Sequence, residues 1–228
     1  MLLLGLDTAT QIASVGITRG EEVLAEASTR ATSNHTETLL PLIAEVLAQA
    51  QVTLPDIEGI GVAIGPGSFT GLRIALGTVK GLAYATGQPV AGIPTLEALA
   101  YTVSDWAGLV CPILDARKRE VYTALFYRSA SGEIAPVRSA QVSTLKSVLE
   151  QISAPCLFLG DGVETYGEAI REHCSDRAHL LPFETYHPRG AVVAKLAWRR
   201  LSRSDADDIA TLVPSYVRPP EAVLKRTS

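Results

Sequence analysis

Apolar residues change period several times along the chain, and each change marks an element. LLLGLD (residues 2–7) is a short continuous apolar run of the kind that forms a buried strand. IASVGIT (12–18) and VLAEAST (23–29) follow after tight connections, the second made by Gly20-Glu21-Glu22. Three such strands in succession predict a meander. Leu39, Leu40, Ile43, Val46, Leu47 and Ala50 then recur at intervals of three and four, which predicts a helix with one apolar face. Asn34 precedes Glu37 by the three residues of a reciprocal N-cap. Pro41 is awkward inside a helix and argues for a kinked first turn or a start nearer Leu40. IEGIGVAIG (57–65) predicts a central strand, 70–86 a helix rich in small residues, PVAGI (89–93) a strand and TLEALAYTV (95–103) a helix.

The pattern then restarts. LVCPILDAR (109–117) and EVYTALFY (120–127) predict two more strands. LGLDTATQIASVGI (4–17) lies over PILDARKREVYTAL (112–125), with Asp7 over Asp115, and AIGPG (63–67) resembles FLGDG (158–162). This is the signature of a duplicated strand-meander plus α/β unit. It divides the chain into residues 1–104 and a shortened copy at 105–228, the latter ending in a helix around 189–202 and the tail VPSYVRPPEA. Pro219-Pro220 is expected to hold part of that tail extended.

Composition narrows the class. Of 228 residues, 47% are apolar and 19% charged, which suits two small lobes or one large α/β domain and excludes global disorder. The net charge of −4 argues against tight nucleic-acid binding by this chain alone, which needs a basic footprint. Cys111, Cys156 and Cys174 form no CxxC pair and point to a reducing compartment. MLLLGLD lacks the basic flank of a signal peptide, and no uncharged run approaches the roughly 20 residues that span a bilayer. The expectation is a soluble cytoplasmic protein with no membrane contact.

Candidate chemistry centres on IGPGSFTGLRIALGTVKGLAY (64–84). Glycine loops before a helix attract phosphates, but the spacing here fits neither G-x-x-x-x-G-K-[ST] nor G-x-G-x-x-G. Gly65, Pro66, Gly67, Ser68 and Thr70 therefore read as a tight strand-to-helix turn, with Ser68 or Thr70 capping the helix. A nucleophilic Ser68 would need G-x-S-x-G; the order here is G-S-F-T-G. Asp7 and Asp115 end their strands at turns, where a phosphotransferase would hold a metal or orient a water. The simpler reading is an Asp that satisfies turn donors. The turn after Asp7 is Thr8-Ala9-Thr10, without the glycine a phosphate-facing hairpin wants. His35 would need a second helical ligand four residues on, and that position is Leu39. No catalytic residue and no metal ligand set is assigned.

Together, LGLDTAT, HTETLLPLI, GIGVAIGPGSFTGLRIALGTVKGLAYATGQPVAGIPTLEALA, PILDARKREVYTALF and PSYVRPPEA resemble the TsaB family, also called YeaZ, over nearly the whole chain. The resemblance implies an actin-like (ASKHA, sugar-kinase/Hsp70-type) two-lobed fold. It implies a non-catalytic subunit in threonylcarbamoyl modification (t6A) of the adenosine beside the anticodon of tRNAs reading ANN codons. In that family the paralogue TsaD carries the metal site and performs the transfer. The implied partners are TsaD, bound through the N-terminal lobe, the ATPase TsaE in a ternary complex, a second copy when alone, and tRNA only through the complex. No cofactor is implied beyond a nucleotide shared at the TsaD junction. On this reading His35, Thr36, Leu39, Leu40 and Ile43 of the first helix build the pairing surface. Gly71, Arg73, Ala75, Gly77 and Thr78 of the second, with Gly81, complete it. The other reading packs part of the small-residue face inside the lobe. Gly71, Gly77 and Gly81 each cost a helix about 1 kcal/mol relative to alanine, so close packing on them is expected. Arg73 either reaches an acidic partner or caps the loop. The competing functions are an ATP-dependent small-molecule kinase of the same fold and a metallopeptidase-like protein.

Overall fold

The computed structural model describes residues 1–30 and 35–217; the cap expected at Asn34 and the pair Pro219-Pro220 lie outside them. Two compact units form, one from Met1–Thr102 with His187–Pro214, the other centred on Val103–Tyr186.

The first unit opens with the expected meander: β1 (Leu2–Asp7), β2 (Ile12–Arg19) and β3 (Glu22–Arg30). After α1 (His35–Gln49) come β4 (Gly59–Gly65), α2 (Phe69–Thr86), β5 (Val90–Pro94) and α3 (Thr95–Ala100). The sheet order is β3-β2-β1-β4-β5. The first three strands run antiparallel, and β4 and β5 run parallel to β1. β1 is buried on both faces, which is why it reads as a continuous apolar run rather than an alternation. On one face Leu4, Leu6, Val15, Ile17 and Val62 meet Leu39, Leu42 and Val46 of α1 and Leu76 and Val79 of α2. α1 starts at His35 and carries Pro41 inside it, where the sequence argued for a kinked or later start. Leu39, Leu42, Ile43 and Val46 on both sides of the proline are buried in this core, and burial of about 1.5–3 kcal/mol per large aliphatic side chain offsets much of the proline penalty of about 3 kcal/mol.

The opposite face carries a helix from far along the chain. α6 (Gly190–Leu201) packs Val193, Ala194, Leu196, Ala197 and Leu201 against Leu3, Ala63, Ala91 and Ile93. Sequence order had placed this helix at the end of the second lobe; it belongs to the first sheet instead. The reason is a row of glycines paired across three strands, Gly5 with Gly16 and with Gly61. A Cβ at Gly5 would lie 2.2 Å from the Gly190 carbonyl oxygen, and one at Gly16 2.3 Å from the Ala191 nitrogen. The row is a floor low enough for the helix backbone to rest on the sheet. Ser14 accepts the Gly190 N–H at 2.9 Å and Glu26 the Ala191 N–H at 2.9 Å, so the sheet also caps the helix. Past α6, Arg200 binds Asp205, Asp207 and the Gly92 carbonyl, and Asp207 accepts from Gly92 N–H at 2.7 Å, fastening the following segment to β5.

The second unit repeats the plan. β6 (Gly108–Asp115), β7 (Glu120–Arg128) and β8 (Ile134–Thr144) form an antiparallel meander, followed by α4 (Leu145–Leu149), β9 (Cys156–Leu159), α5 (Gly162–Cys174) and β10 (Ala178–Leu180). Its order, β10-β9-β6-β7-β8, is the first sheet's order strand for strand. The duplication inferred from a handful of matched residues is thus present in the topology. Cys111, Cys156 and Cys174 are buried free thiols in this core, beside Ile113, Val121, Phe158 and Ile170.

Candidate functional site

The turn after β1 and the loop before α2 are built against each other. Asp7 accepts the Ala9 N–H at 2.8 Å through Oδ1, while Oδ2 has no hydrogen-bond partner. Complete burial pushes its carboxyl up to about 7, against the smaller opposing effect of the Ala9 bond. Thr8 donates to the Gly71 carbonyl at 2.7 Å, and Ser68 N–H donates to the Ala9 carbonyl at 2.7 Å. His35 Nε2 lies 2.9 Å from the Thr10 carbonyl oxygen. The glycines serve this seam. A Cβ at Gly71 would stand 2.0 Å from the Thr8 oxygen, and one at Gly67 2.5 Å from the Ala9 oxygen. Ser68 caps α2, its hydroxyl accepting the Gly71 N–H at 3.2 Å. The loop turns main-chain carbonyls and close glycines toward its neighbour, an arrangement for packing backbone on backbone.

The candidate pairing residues divide between two faces. Leu39, Ile43 and Ala75 are buried in the first core, Gly71 sits on Thr8, and His35 is buried against Thr10. His35, Leu39 and Ile43 are corrected from the pairing surface to internal positions, and Gly71 and Ala75 follow the other reading, which packs part of the small-residue face inside the lobe. Thr36, Leu40, Arg73 and Gly77 are exposed, with Thr78 half-buried. The Arg73 guanidinium lies 3.8 Å over the Phe69 ring, a cation–π contact within the helix's first turn. Among the described residues, Gly77 and Gly81 would meet no packing neighbour within 4 Å if given a Cβ. On α2, Tyr84 is 70% and Phe69 44% exposed, and on α1 Leu40 is 58% exposed. The outer face of α2 therefore carries exposed apolar side chains beside two helical glycines, and α1 exposes Leu40. Sequence reading missed Phe69 and Tyr84. The helical wheel that buries Leu72, Leu76 and Val79 puts positions 73, 77, 81 and 84 on the far side, and that was the available signal.

In the second unit Asp115 repeats the Asp7 turn: its Oδ1 accepts Arg117 N–H at 2.9 Å, as Asp7 accepts Ala9 N–H. Among the described residues no three His, Cys, Asp or Glu side chains gather as a metal site would require, and no helix is long and apolar enough to cross a membrane.

Two five-stranded sheets of identical order, each flanked by helices, define an actin-like α/β protein. EutJ from Carboxydothermus hydrogenoformans shares this fold, with a TM-score of 0.56 at 13% identity over 86% of this chain and 89% of that one. Closer likenesses narrow the class. A family model described as TsaD: tRNA N6-adenosine threonylcarbamoyltransferase matches residues 23–225. The Bacillus subtilis (strain 168) tRNA threonylcarbamoyladenosine biosynthesis protein TsaB is 30% identical over 227 residues, 99% of this chain and 97% of its own length. The solved YeaZ from Pseudomonas aeruginosa superposes with a TM-score of 0.77 at 29% identity, covering 94% of this chain and 99% of that one. The chain belongs to the TsaB (YeaZ) family.

Proposed function

We propose that the chain is a non-catalytic subunit required for t6A modification of tRNA, and that it binds and activates a TsaD-type partner through the outer face of α1 and α2. The observation that carries the docking surface is the pair Gly77 and Gly81, exposed in the middle of a helix with no packing neighbour among the described residues within 4 Å of their Cβ positions. Each lowers helix stability by about 1 kcal/mol relative to alanine. At Gly71 the chain itself explains the glycine; at Gly77 and Gly81 it does not. A backbone approaching from outside explains them, because two helices with glycine at the crossing approach more closely than side chains allow. Leu40, Phe69 and Tyr84 border the crossing as apolar anchors of the kind enriched at interface centres.

The role is supported by membership of a family whose B. subtilis member is named for t6A biosynthesis, and by the match to a TsaD model. Paralogues built on one duplicated plan pair naturally through equivalent faces, giving a pseudo-symmetric heterodimer with TsaD and a homodimer when this chain is alone. TsaE joins the pair, tRNA engages the complex, and the reaction chemistry resides in the partner. A nucleotide, where one is needed, sits at the junction with TsaD.

The test uses Gly77→Arg and Leu40→Arg, whose side chains enter solvent in the free chain. Both are expected to keep the wild-type circular dichroism spectrum and a melting temperature no lower than the wild type's while co-purification with TsaD drops at least tenfold. Undiminished co-purification for both removes the surface from the account.

A further inference from the structure

The turn between β6 and β7 carries the reverse of the glycine anomaly. Arg117, Lys118 and Arg119 are consecutive, exposed and all in the left-handed region, with φ of 63°, 54° and 63°. Each such residue costs about 1–2 kcal/mol when it has a Cβ, and glycine would remove that cost. The turn is nonetheless firmly set. Ala116 N–H donates to the Glu120 carbonyl and Glu120 N–H to the Arg117 carbonyl, both at 3.0 Å. Asp115 accepts Arg117 N–H, receives the Tyr166 hydroxyl at 3.4 Å, and donates its own N–H to Asp161 at 3.0 Å. The Arg117 side chain is 79% exposed and meets Asp115 at 3.3 Å, a surface pair worth about 0–1 kcal/mol. Three long cationic side chains are thus held exposed on a strained, braced turn. Strain kept at an exposed turn marks a binding role.

We propose that this turn grips the phosphodiester backbone of the tRNA that the complex modifies. Arg117, Lys118 and Arg119 outnumber the flanking Asp115 and Glu120, which leaves a local excess of positive charge at the turn of a chain with net charge −4. Exposed Arg and Lys head groups bind phosphate oxygens through charge-assisted hydrogen bonds. The braced turn orders its backbone before contact, so less entropy is lost on binding. Such a contact positions the RNA without reading its sequence. The inference rests on the proposed role in t6A synthesis, which supplies RNA as the source of the phosphates.

The experiment titrates a fluorescently labelled, unmodified tRNA transcript with the complex of this chain and TsaD at 50–200 mM KCl. The variant is Arg117→Asn with Lys118→Asn and Arg119→Asn, since asparagine tolerates the left-handed region and preserves the turn. Each lost phosphate contact lowers the slope of log affinity against log salt by about 0.7–0.9. The variant is expected to bind about tenfold more weakly at 100 mM KCl, with the slope reduced by about 2–3. Arg119→Gly, which relieves one strained residue, is expected to fold at least as well and to lower the slope by about 0.7–0.9. Unchanged affinity and slope overturn the proposal. So does a variant that binds tRNA normally but loses co-purification with TsaD, or loses only binding of ATP with magnesium. If the wild-type chain forms no complex with TsaD, the role in t6A synthesis fails. The same titration on the isolated chain then decides the turn: salt-sensitive binding lost in the variant supports it, and no difference overturns it.

Discussion

Asp7 shows how burial at a single position sets the charge of a carboxyl. A carboxyl with one oxygen bonded to Ala9 and the other without a partner, fully buried, is raised to about 7 from an ordinary 3.8. The folded state therefore holds a proton that the unfolded chain releases above its own pKa. Stability from this group is full below about pH 4 and is lost as the pH rises through about 7. Asp7→Asn reproduces the protonated shape without the charge. It is expected to melt several degrees above the wild type at pH 8, with the difference shrinking toward pH 4. Melting curves at three pH values check this, and a difference independent of pH contradicts it. The sequence showed the aspartate at a turn and the missing glycine after it. It could not show the burial, because Gly67 of the loop and Gly71 of α2, which press on Ala9 and Thr8, lie about sixty residues away along the chain.

At the scale of the element, α2 has two faces with opposite requirements. Gly71→Ala puts a methyl 2.0 Å from the Thr8 oxygen and is expected to destabilise the free chain by about 1–3 kcal/mol. Gly77→Ala meets no neighbour within 4 Å and is expected to stabilise it by about 0.5–1 kcal/mol while weakening association with TsaD. Denaturant titrations of both variants read the opposite signs, and matching signs refute the division of the helix. Periodicity made α2 legible as an element. It left the two faces unresolved, since glycine and alanine provide almost no hydropathy contrast between core and solvent. The helix at 70–86 was therefore recovered nearly to the residue, whereas Leu39 and Ile43 were assigned to the pairing surface and Gly71 and Ala75 were left between that surface and the lobe's interior.

For the whole molecule, duplication was readable because LGLD and PILD begin the same meander, and both sheets take the same order. The destination of α6 was not, because amphipathicity says that a helix buries a face without saying which sheet receives it. The glycines of LGLD, SVGI and GIGV were the clue, and only strand register aligns them as Gly5, Gly16 and Gly61. The two copies then diverged at their turns. The first is sealed beneath the α2 loop, and the second carries Arg117, Lys118 and Arg119 to the surface. Both changes fit a protein whose work is contact. The most direct measurement is reconstitution of t6A on a tRNA transcript, read by nucleoside mass spectrometry, with this chain and TsaD each supplied or omitted in the presence of the remaining components. The account requires modification only when both are present, and none from this chain without TsaD. Modification by this chain without TsaD, or a full rate in its absence, would contradict it.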